Sequence, residues 1–476
     1  MKLAALLLLP ILLLSCNGND TSEANSLDGV WESVGYGRLV KIVDGQYVMA
    51  EVTKISCIPI LDGDISDFGE ALYVKNDTLT LEDGINYYYF TRVEDAPAIC
   101  KKDSPERTEA EQKANDPEYN FEVLWHTFDE HYAYFELRKI DWDSMYAHYR
   151  PKVNENTTPV ELFGIMDEML NAFNDGHIGL DVPDEIYEQA AANSEEEEEA
   201  SQDPPVKRLR KYLVAKAVAE KYIPKGTAIK NNNLRWGILD GNVGYVQLNQ
   251  MMGLADYGVS DTLSYRDYWM AYFEKGEESL DSTSDELEGF NDSLDQLMAG
   301  LDETDALIID VRFNGGGKDE VGMEFLARVN GEEKVTFTKK GRMGDGYTPT
   351  IKVVQPAVEN PYEKPVFLLI STESASATEI MTLSSLSLEN ITRIGSRTEG
   401  VFSDILDRVL PNEWTFGLSS EVYETLDGKN YEGPGIPPDI ELGYPRDTQL
   451  FLKEVMQSLE DGDDAAIEKA LELIKE

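Results

Sequence analysis

Residues 306–317 read ALIIDVRFNGGG, a continuous apolar run followed at once by polar residues and three glycines. A second run, VFLLIS at 366–371, is followed by SASATE at 374–379. Continuous apolar runs of this length are typical of strands that are covered on both faces. A helical pattern follows each run, at 318–329 and at 376–388. This alternation of strand and helix predicts an α/β core with parallel strands.

The pattern changes on either side of this core. Residues 28–95 alternate Tyr, Val and Ile with polar residues and contain Asp-Gly turns, which predicts antiparallel strands. Residues 106–173 have a helical period, as do two stretches around Gly462. We therefore expect an α/β (α+β multidomain) protein. Its predicted segments are a signal peptide (1–15), a tether (16–27), an N-terminal antiparallel β-domain (28–105), a helical subdomain (106–183), an acidic and helical linker (184–233), a βα core domain (234–445) and C-terminal helices (446–476).

The charge excludes some function classes. The chain has 42 Lys and Arg against 90 Asp and Glu, a formal net charge of -48. Such a chain has no surplus of cations to neutralise phosphates, so we expect no nucleic-acid partner. Adhesion to anionic lipid through a basic face is disfavoured for the same reason.

The first sixteen residues, MKLAALLLLPILLLSC, predict export. Lys2 precedes a short apolar stretch that fits a secretory signal and is too short to span a membrane comfortably. The ending Leu-Leu-Ser-Cys resembles a bacterial lipobox, which implies lipid attachment at Cys16 and anchoring to the cell envelope, periplasmic or outer surface. The alternative is an ordinary signal peptide with a cysteine near its cleavage site.

Cys57 and Cys100 are the other two cysteines. Two cysteines in an exported chain favour a disulfide, although two separate thiols remain the alternative.

The segment 374–379 places hydroxyl side chains at the predicted start of a helix. Unpaired backbone N–H groups there create a positive field that stabilises negative charge on a nearby oxygen. The alternative is that Ser374, Ser376 or Thr378 only caps the helix.

The glycines after the first apolar run allow backbone N–H groups to approach a ligand closely. This suits an oxyanion hole, whereas a phosphate cradle and a tight turn are the alternatives. Lys318 is followed by Asp319, so the Gly-Lys-Ser/Thr ending of a P-loop is absent.

The segment NDGHIGL at 174–180 presents His177 on a loop flanked by glycines, where a side chain can face a cleft. The other histidines, His126, His131 and His148, lie within helical patterns among aromatic residues. No HExxH occurs, and the spacing of His126 and His131 does not suit a metal pair, so we expect no metal and no organic cofactor.

Together these segments resemble the tricorn-like and carboxyl-terminal-processing serine peptidases. The family's Asp-Gly-His loop is similar to 175–177, its Asp-x-Arg-x-Asn-x-Gly-Gly turn to 310–317, and its Ser-Ala-Ser-Ala-x-Glu nucleophile segment to 374–379. A fourth match, EGPGIPPD at 432–439, is similar to the Gly-Ile-x-Pro-Asp end of the family's catalytic domain. The resemblance spans about 115–445.

The resemblance also indicates a subtype. In the processing branch a lysine follows Gly-x-Thr-x-Gly, but here Val401 stands at that position. The residues instead resemble the His-containing branch. That branch implies Ser376 as nucleophile, His177 as base and Glu432 as the residue that orients the histidine, directly or through a hydroxyl. It further implies an oxyanion hole from Gly316 or Gly317 together with Ala377.

The expected function is that of a serine endopeptidase acting on peptides or unfolded proteins of the cell envelope, with membrane contact through the lipid anchor only. The 55 residues or so at 181–235 are too few for the PDZ domain that the processing branch carries at this point. The alternatives are a peptide- or ligand-binding lipoprotein on the same fold, and an esterase. The Gly-x-Ser-x-Gly elbow common in esterases is absent.

Overall fold

The computed structural model describes residues 27–198, 208–277, 279 and 281–475. The predicted signal peptide, Cys16, nearly all of the tether and part of the acidic linker lie outside these residues. No described helix combines the length and apolar character needed to cross a membrane.

A seven-stranded antiparallel sheet forms the N-terminal region, as predicted. Its order is β4-β3-β2-β1-β7-β6-β5. Alternate side chains, including Trp31, Ile42 and Phe90, form a small core on one face. The strands are β1 (Gly29–Ser33), β2 (Arg38–Val43), β3 (Gln46–Val52), β4 (Cys57–Asp64), β5 (Leu72–Lys75), β6 (Thr78–Asp83) and β7 (Asn86–Val93).

A disulfide joins Cys57, at the start of β4, to Cys100. It fixes the chain that leaves the sheet, just before the first α-helix begins. The two cysteines are 43 residues apart in sequence, so the disulfide closes a long loop.

The helical region that follows carries the histidine loop. Five helices pack through an aromatic core that includes Phe128, Trp142 and Phe173. Thr158 caps the helix that begins at Pro159, with a reciprocal bond from Glu161. The elements are α1 (Pro105–Gln112), α2 (Pro117–His131), α3 (Phe135–Arg138), α4 (Trp142–Tyr149), α5 (Pro159–Asn171), β8 (Gly179–Asp181) and α6 (Asp184–Glu198).

The central sheet is the α/β core expected from the two apolar runs, which form β12 and β16 and are buried along their whole length. Its order is β21-β17-β16-β12-β11-β10-β9, parallel from β11 to β21. The elements up to β16 are α7 (Lys211–Tyr222), β9 (Thr227–Ile229), β10 (Leu234–Leu239), β11 (Val243–Leu248), α8 (Tyr265–Gly276), α9 (Ser282–Leu301), β12 (Ala306–Asp310), α10 (Asp319–Ala327), β13 (Lys334–Met343), β14 (Gly346–Tyr347), β15 (Ile351–Gln355) and β16 (Val366–Ile370).

The remaining elements complete the core and two smaller sheets. β14, β13, β15 and β20 form one sheet, and β18, β19 and β8 form the other. Helices α7, α12 and α13 cover one face of the central sheet. These last elements are α11 (Ala377–Ser385), β17 (Ile391–Gly395), β18 (Ile405–Val409), β19 (Thr415–Ser419), β20 (Glu421–Thr425), β21 (Ile440–Glu441), α12 (Thr448–Asp461) and α13 (Ala465–Ile474).

The pairing of β8 with β19 brings the helical region to the core. Gly179 pairs with Gly417, and Asp181 pairs with Thr415. Because β8 begins two residues after His177, this pairing holds the histidine loop against the segments that follow the central strands. Ligands of open α/β sheets gather at those carboxyl ends.

Candidate active site

Ser376 lies in the sharp turn between β16 and α11. The neighbouring Ser374 hydroxyl is engaged in the turn, donating to the carbonyl of Val311 at 2.8 Å and accepting from the N–H of Ser371 at 3.0 Å. Ser376 is half-buried, and its hydroxyl makes no capping hydrogen bond to α11. Its side chain is therefore available for chemistry, and the helix-cap alternative does not describe it.

The backbone of Ser376 is strained. Its φ of 53° and ψ of -127° fall in a region that non-glycine residues rarely occupy. Conformations of this kind cost about 1–3 kcal/mol and persist where the surroundings impose them. Here the Ser376 N–H donates to the carbonyl of Val401 at 3.1 Å, and the Ala375 N–H donates to Asn314 at 3.2 Å.

Two backbone N–H groups near Ser376 are free to bind an oxyanion. Among the residues that the structure describes, neither Gly317 nor Ala377 donates its N–H in a hydrogen bond. Ala377 is the first residue of α11, so its N–H has no partner within the helix. The N–H of Lys318 donates to the carbonyl of Met251 at 2.8 Å. Because successive N–H groups of an extended chain point in opposite directions, the N–H of Gly317 points away from Met251.

Gly316, the other predicted donor, has a different role. Its N–H is bound by the side chain of Asn314 at 2.9 Å. A Cβ on Gly316 would stand 2.7 Å from Cβ of Ser376 and 3.1 Å from the Ala377 nitrogen, and its φ is 107°. Gly316 thus lets the glycine turn approach the serine, while Gly317 and Ala377 offer the free donors.

His177 is held by its own loop. The carboxylate of Asp175 accepts the His177 N–H at 3.1 Å, the Tyr132 hydroxyl at 2.8 Å and the Ser419 hydroxyl at 3.1 Å. With the pairing of β8, these bonds fix the imidazole beside the core.

Burial lowers the pKa of His177. The negative charges of Asp175 and Asp404 and a hydrogen bond with the backbone of Ser403 oppose that effect. The imidazole nitrogen Nδ1 is buried and has no hydrogen-bond partner in the described part of the chain. A neutral imidazole with a free ring nitrogen can act as a general base.

Glu432 is fully buried and paired with Arg138. Its carboxylate lies 2.8 Å from Nη2 of Arg138 and accepts the N–H of Phe402 at 2.7 Å. Burial and the nearby charge of Asp175 raise the pKa of Glu432 to about 7, although Phe402 and Arg138 act in the opposite sense. Within the described residues no hydrogen bond joins Glu432 to His177.

Residues 400–403, which we call the bridging segment, touch all of these groups. Its first two N–H groups donate to the buried carboxyl of Glu379 at 2.8 and 2.7 Å. Its next contacts are the carbonyl of Val401 with Ser376, the N–H of Phe402 with Glu432, and the backbone of Ser403 with His177. The segment therefore links the three predicted catalytic residues, and Val401 occupies the position of the processing-branch lysine.

Sequence reasoning missed a buried cation beside this segment. Lys339 has no exposed side-chain surface and contacts Asp404 at 3.0 Å, Glu421 at 2.6 Å and the Tyr423 hydroxyl at 2.8 Å. Asn86, from the N-terminal sheet, completes the set. Neither Lys339 nor Arg138 carries a local motif, because their partners lie far away in sequence.

The structure assembles no evident metal site. Among the described residues, no group of three or more His, Cys, Asp or Glu side chains is arranged to hold a metal ion.

Comparisons with known proteins support the peptidase prediction. The model for peptidase family S41 matches residues 242–442, and the model for the tricorn protease C1 domain matches residues 113–171. Among curated proteins, no sequence matches the chain.

One solved structure shares the fold. A candidate peptidase from Parabacteroides merdae superposes with a TM-score of 0.54 at 22% identity, over 75% of this chain and 96% of its own. Two more distant matches are a lipoprotein from Streptococcus agalactiae, with a TM-score of 0.42 at 16% identity over 73% and 96%, and mature CPAF, with 0.48 at 11% identity over 75% and 99%. The two family models, which lie on either side of the predicted linker, together with the ordered motifs, show that the chain is a serine-type peptidase with a peptidase family S41 core at 242–442 and a tricorn-like C1 segment at 113–171.

Proposed function

We propose that this serine peptidase is an endopeptidase that cleaves exported or cell-envelope proteins and peptides, with Ser376, His177 and Glu432 as its working residues. The observation that carries the proposal is the bridging segment, whose successive peptide groups contact all three residues. Beside it, the uncapped Ser376 hydroxyl lies next to two free N–H donors.

The reaction would proceed in two halves. Ser376 Oγ attacks the peptide carbonyl carbon while His177 takes the hydroxyl proton. The N–H groups of Gly317 and Ala377 stabilise the tetrahedral oxyanion. The C–N bond then breaks, His177 returns the proton to the leaving amine, and an acyl-serine remains. Water, deprotonated by His177, hydrolyses that ester and frees Ser376.

The surrounding charges favour proton transfer to and from His177. Burial keeps the His177 pKa low, which favours the neutral base before attack. Asp175 and Asp404 favour the imidazolium once it forms. Glu432 acts indirectly. Its carboxylate binds the N–H of Phe402 in the bridging segment and makes no bond with the imidazole in the described residues. It is a positioning residue in this mechanism.

The proposed location is the cell envelope, with lipid on Cys16 as the anchor. The signal-like N-terminus supports export. The Cys57–Cys100 disulfide is consistent with an oxidising compartment.

The test is active-site labelling with a fluorophosphonate, read by mass spectrometry of the modified peptide. We expect label on Ser376 in the wild type and in His148→Ala, which removes an exposed histidine. We expect none in Ser376→Ala and a severe loss in His177→Ala. Parallel assays on unfolded protein and on simple esters would assign the substrate. Absence of label on folded wild type would favour a binding protein, and turnover of esters alone would favour an esterase.

A further inference from the structure

A polar pocket lies beside the glycine turn, at the carboxyl ends of β11 and β12. Its volume is about 290 Å³, near the lower end of the range of ligand sites. A Cβ on Gly315 would stand 3.2 Å from Lys211 Nζ and 3.8 Å from Gln250 Oε1, so the turn and the pocket share a wall. Its lining includes Lys211, Lys216, Asn233, Arg235, Asn249 and Tyr265.

Arg235 is the unusual member of this lining. It is only 7% exposed, and its single side-chain hydrogen bond goes to the amide oxygen of Asn232. Nε is buried without a partner, and no carboxylate of the described residues lies within ion-pair distance of the guanidinium. Burial lowers its pKa, and the negative charge of Glu220 opposes that effect from a distance. Buried arginines are normally paired in direct contact with an anion, and this guanidinium has no such contact among the described residues.

Cations outnumber carboxylates in the lining of the pocket. Lys211 and Lys216 also line it, and they contact two carboxylates that are not part of the lining, Glu373 at 3.4 Å and Glu220 at 3.7 Å. The one acidic lining residue, Asp261, accepts two backbone N–H groups. Three cations around one pocket stand out in a chain with a net charge of -48.

Two amide oxygens indicate that the ligand also carries hydrogen-bond donors. Oδ1 of Asn233 and Oδ1 of Asn249 are buried without hydrogen-bond partners in the described residues. An unpaired guanidinium beside unpaired acceptors matches a ligand that carries a carboxylate next to N–H groups. One wall is formed by the stacked rings of Tyr212 and Tyr265, whose centroids are 4.2 Å apart.

We propose that this pocket binds a carboxylate of the peptide substrate, with Arg235 as the principal partner. The proposal rests on the peptidase function proposed above and adds a substrate preference to it. The carboxylate is either the C-terminal group or an acidic side chain. The pocket and the glycine turn share a wall at Gly315, so a substrate that lies along the turn can reach the pocket.

The test measures binding in the Ser376→Ala variant, where no cleavage occurs. Three fluorescein-labelled heptapeptides of alanine and leucine are compared by anisotropy: one with a free C-terminus, its C-terminal amide, and an amide with one leucine replaced by glutamate. We expect a carboxylate-bearing peptide to bind at least about tenfold more tightly than the plain amide. A second substitution, Arg235→Gln, should abolish that preference, while Lys225→Gln, at an exposed lysine outside the pocket, should keep it.

The peptides distinguish the two possible origins of the carboxylate. Tight binding of the glutamate-containing amide identifies a site for an acidic side chain. Tight binding of the free acid alone identifies a site for the C-terminal carboxylate. If Arg235→Gln does not fold, as judged by circular dichroism, the paired change Lys211→Gln with Lys216→Gln replaces it and should also weaken the preference. Equal affinity for the three peptides, no binding of any, or a preference that survives loss of the cations overturns the proposal. Fluorophosphonate labelling is measured separately, so failure of the catalytic proposal remains distinguishable.

Discussion

Replacing Arg138 with methionine should destabilise the protein by an amount that depends strongly on pH. Arg138 is 12% exposed and lies 2.8 Å from the fully buried carboxyl of Glu432. Breaking a buried ion pair typically costs about 3–5 kcal/mol, because one charge is left without a partner. Glu432, however, becomes neutral when it takes up a proton, and it then no longer carries an unpaired charge.

The pKa of Glu432 sets the size of the effect. Burial raises its pKa to about 7 from the ordinary value of 4.5. At pH 6 the carboxyl is therefore mostly protonated already, and the variant loses two hydrogen bonds, one to Glu432 and one to the carbonyl of Asn174, of about 1 kcal/mol each. At pH 9 the variant must hold a proton about two pH units above that pKa or keep an unpaired charge, which adds at most about 3 kcal/mol.

The sign follows from linkage. Because the folded pKa of Glu432 is raised, its contribution to stability is full below pH 4.5 and declines as pH rises towards about 7. Without Arg138 the folded pKa is higher still, so the decline continues into the alkaline range. Wild type and variant should thus differ by about 2 kcal/mol at pH 6 and by up to about 5 kcal/mol at pH 9.

Urea unfolding followed by tryptophan fluorescence measures this difference, and the chain has six tryptophans. The matched control is Arg150→Met, which removes a partly exposed arginine paired with Glu118 and Glu122. We expect a loss of about 1 kcal/mol or less there. In a Glu432→Gln background, Arg138→Met should lower the free energy of unfolding by the same amount at pH 6 and at pH 9. An equal loss at pH 6 and pH 9 in Arg138→Met alone would refute the reasoning.

Three further outcomes are expected. Ser376→Gly should be inactive like Ser376→Ala but more stable by about 1–2 kcal/mol in thermal unfolding, because glycine relieves the strained φ of 53°. Gly316→Ala should lower kcat/KM at least about 100-fold, since its Cβ would meet Ser376, whereas Gly164→Ala, on helix α5 with open space around it, should leave kcat/KM unchanged; equal rates would contradict this close approach. Reducing the Cys57–Cys100 disulfide should lower stability by about 4 kcal/mol for a loop of this length, and an unchanged melting temperature in reductant would argue against it.

The strands and the motif segments were accessible from the sequence because their signals are local. The apolar runs at 306–311 and 366–371 became buried parallel strands, and the residues after them lie at one edge of the sheet. Chain order and loop chemistry likewise singled out His177. The S41 and tricorn C1 matches and the fold confirm the family prediction, while the roles of the individual site residues stay predictions.

The support around the site was not accessible, because it depends on long-range pairs. Arg138 and Glu432 are 294 residues apart, and nothing near either one in sequence indicates the other. The buried Lys339 sits in an ordinary strand pattern, and its meaning appears only when Asp404 is brought to it. The capture of the Gly316 N–H by Asn314 is a matter of local geometry that a run of three glycines does not determine.

The residues that surround Lys339 extend beyond the segment that the family model matches. Residues 242–442 include the lysine and its carboxylates, but Asn86 and the Tyr36 hydroxyl that bonds Glu421 at 2.6 Å come from the N-terminal sheet. A fragment limited to the matched residues would open a buried cation to water and release Asp404 beside the bridging segment. The N-terminal sheet is thus an internal wall of the peptidase, because its residues complete the burial of a cation that lies beside the bridging segment.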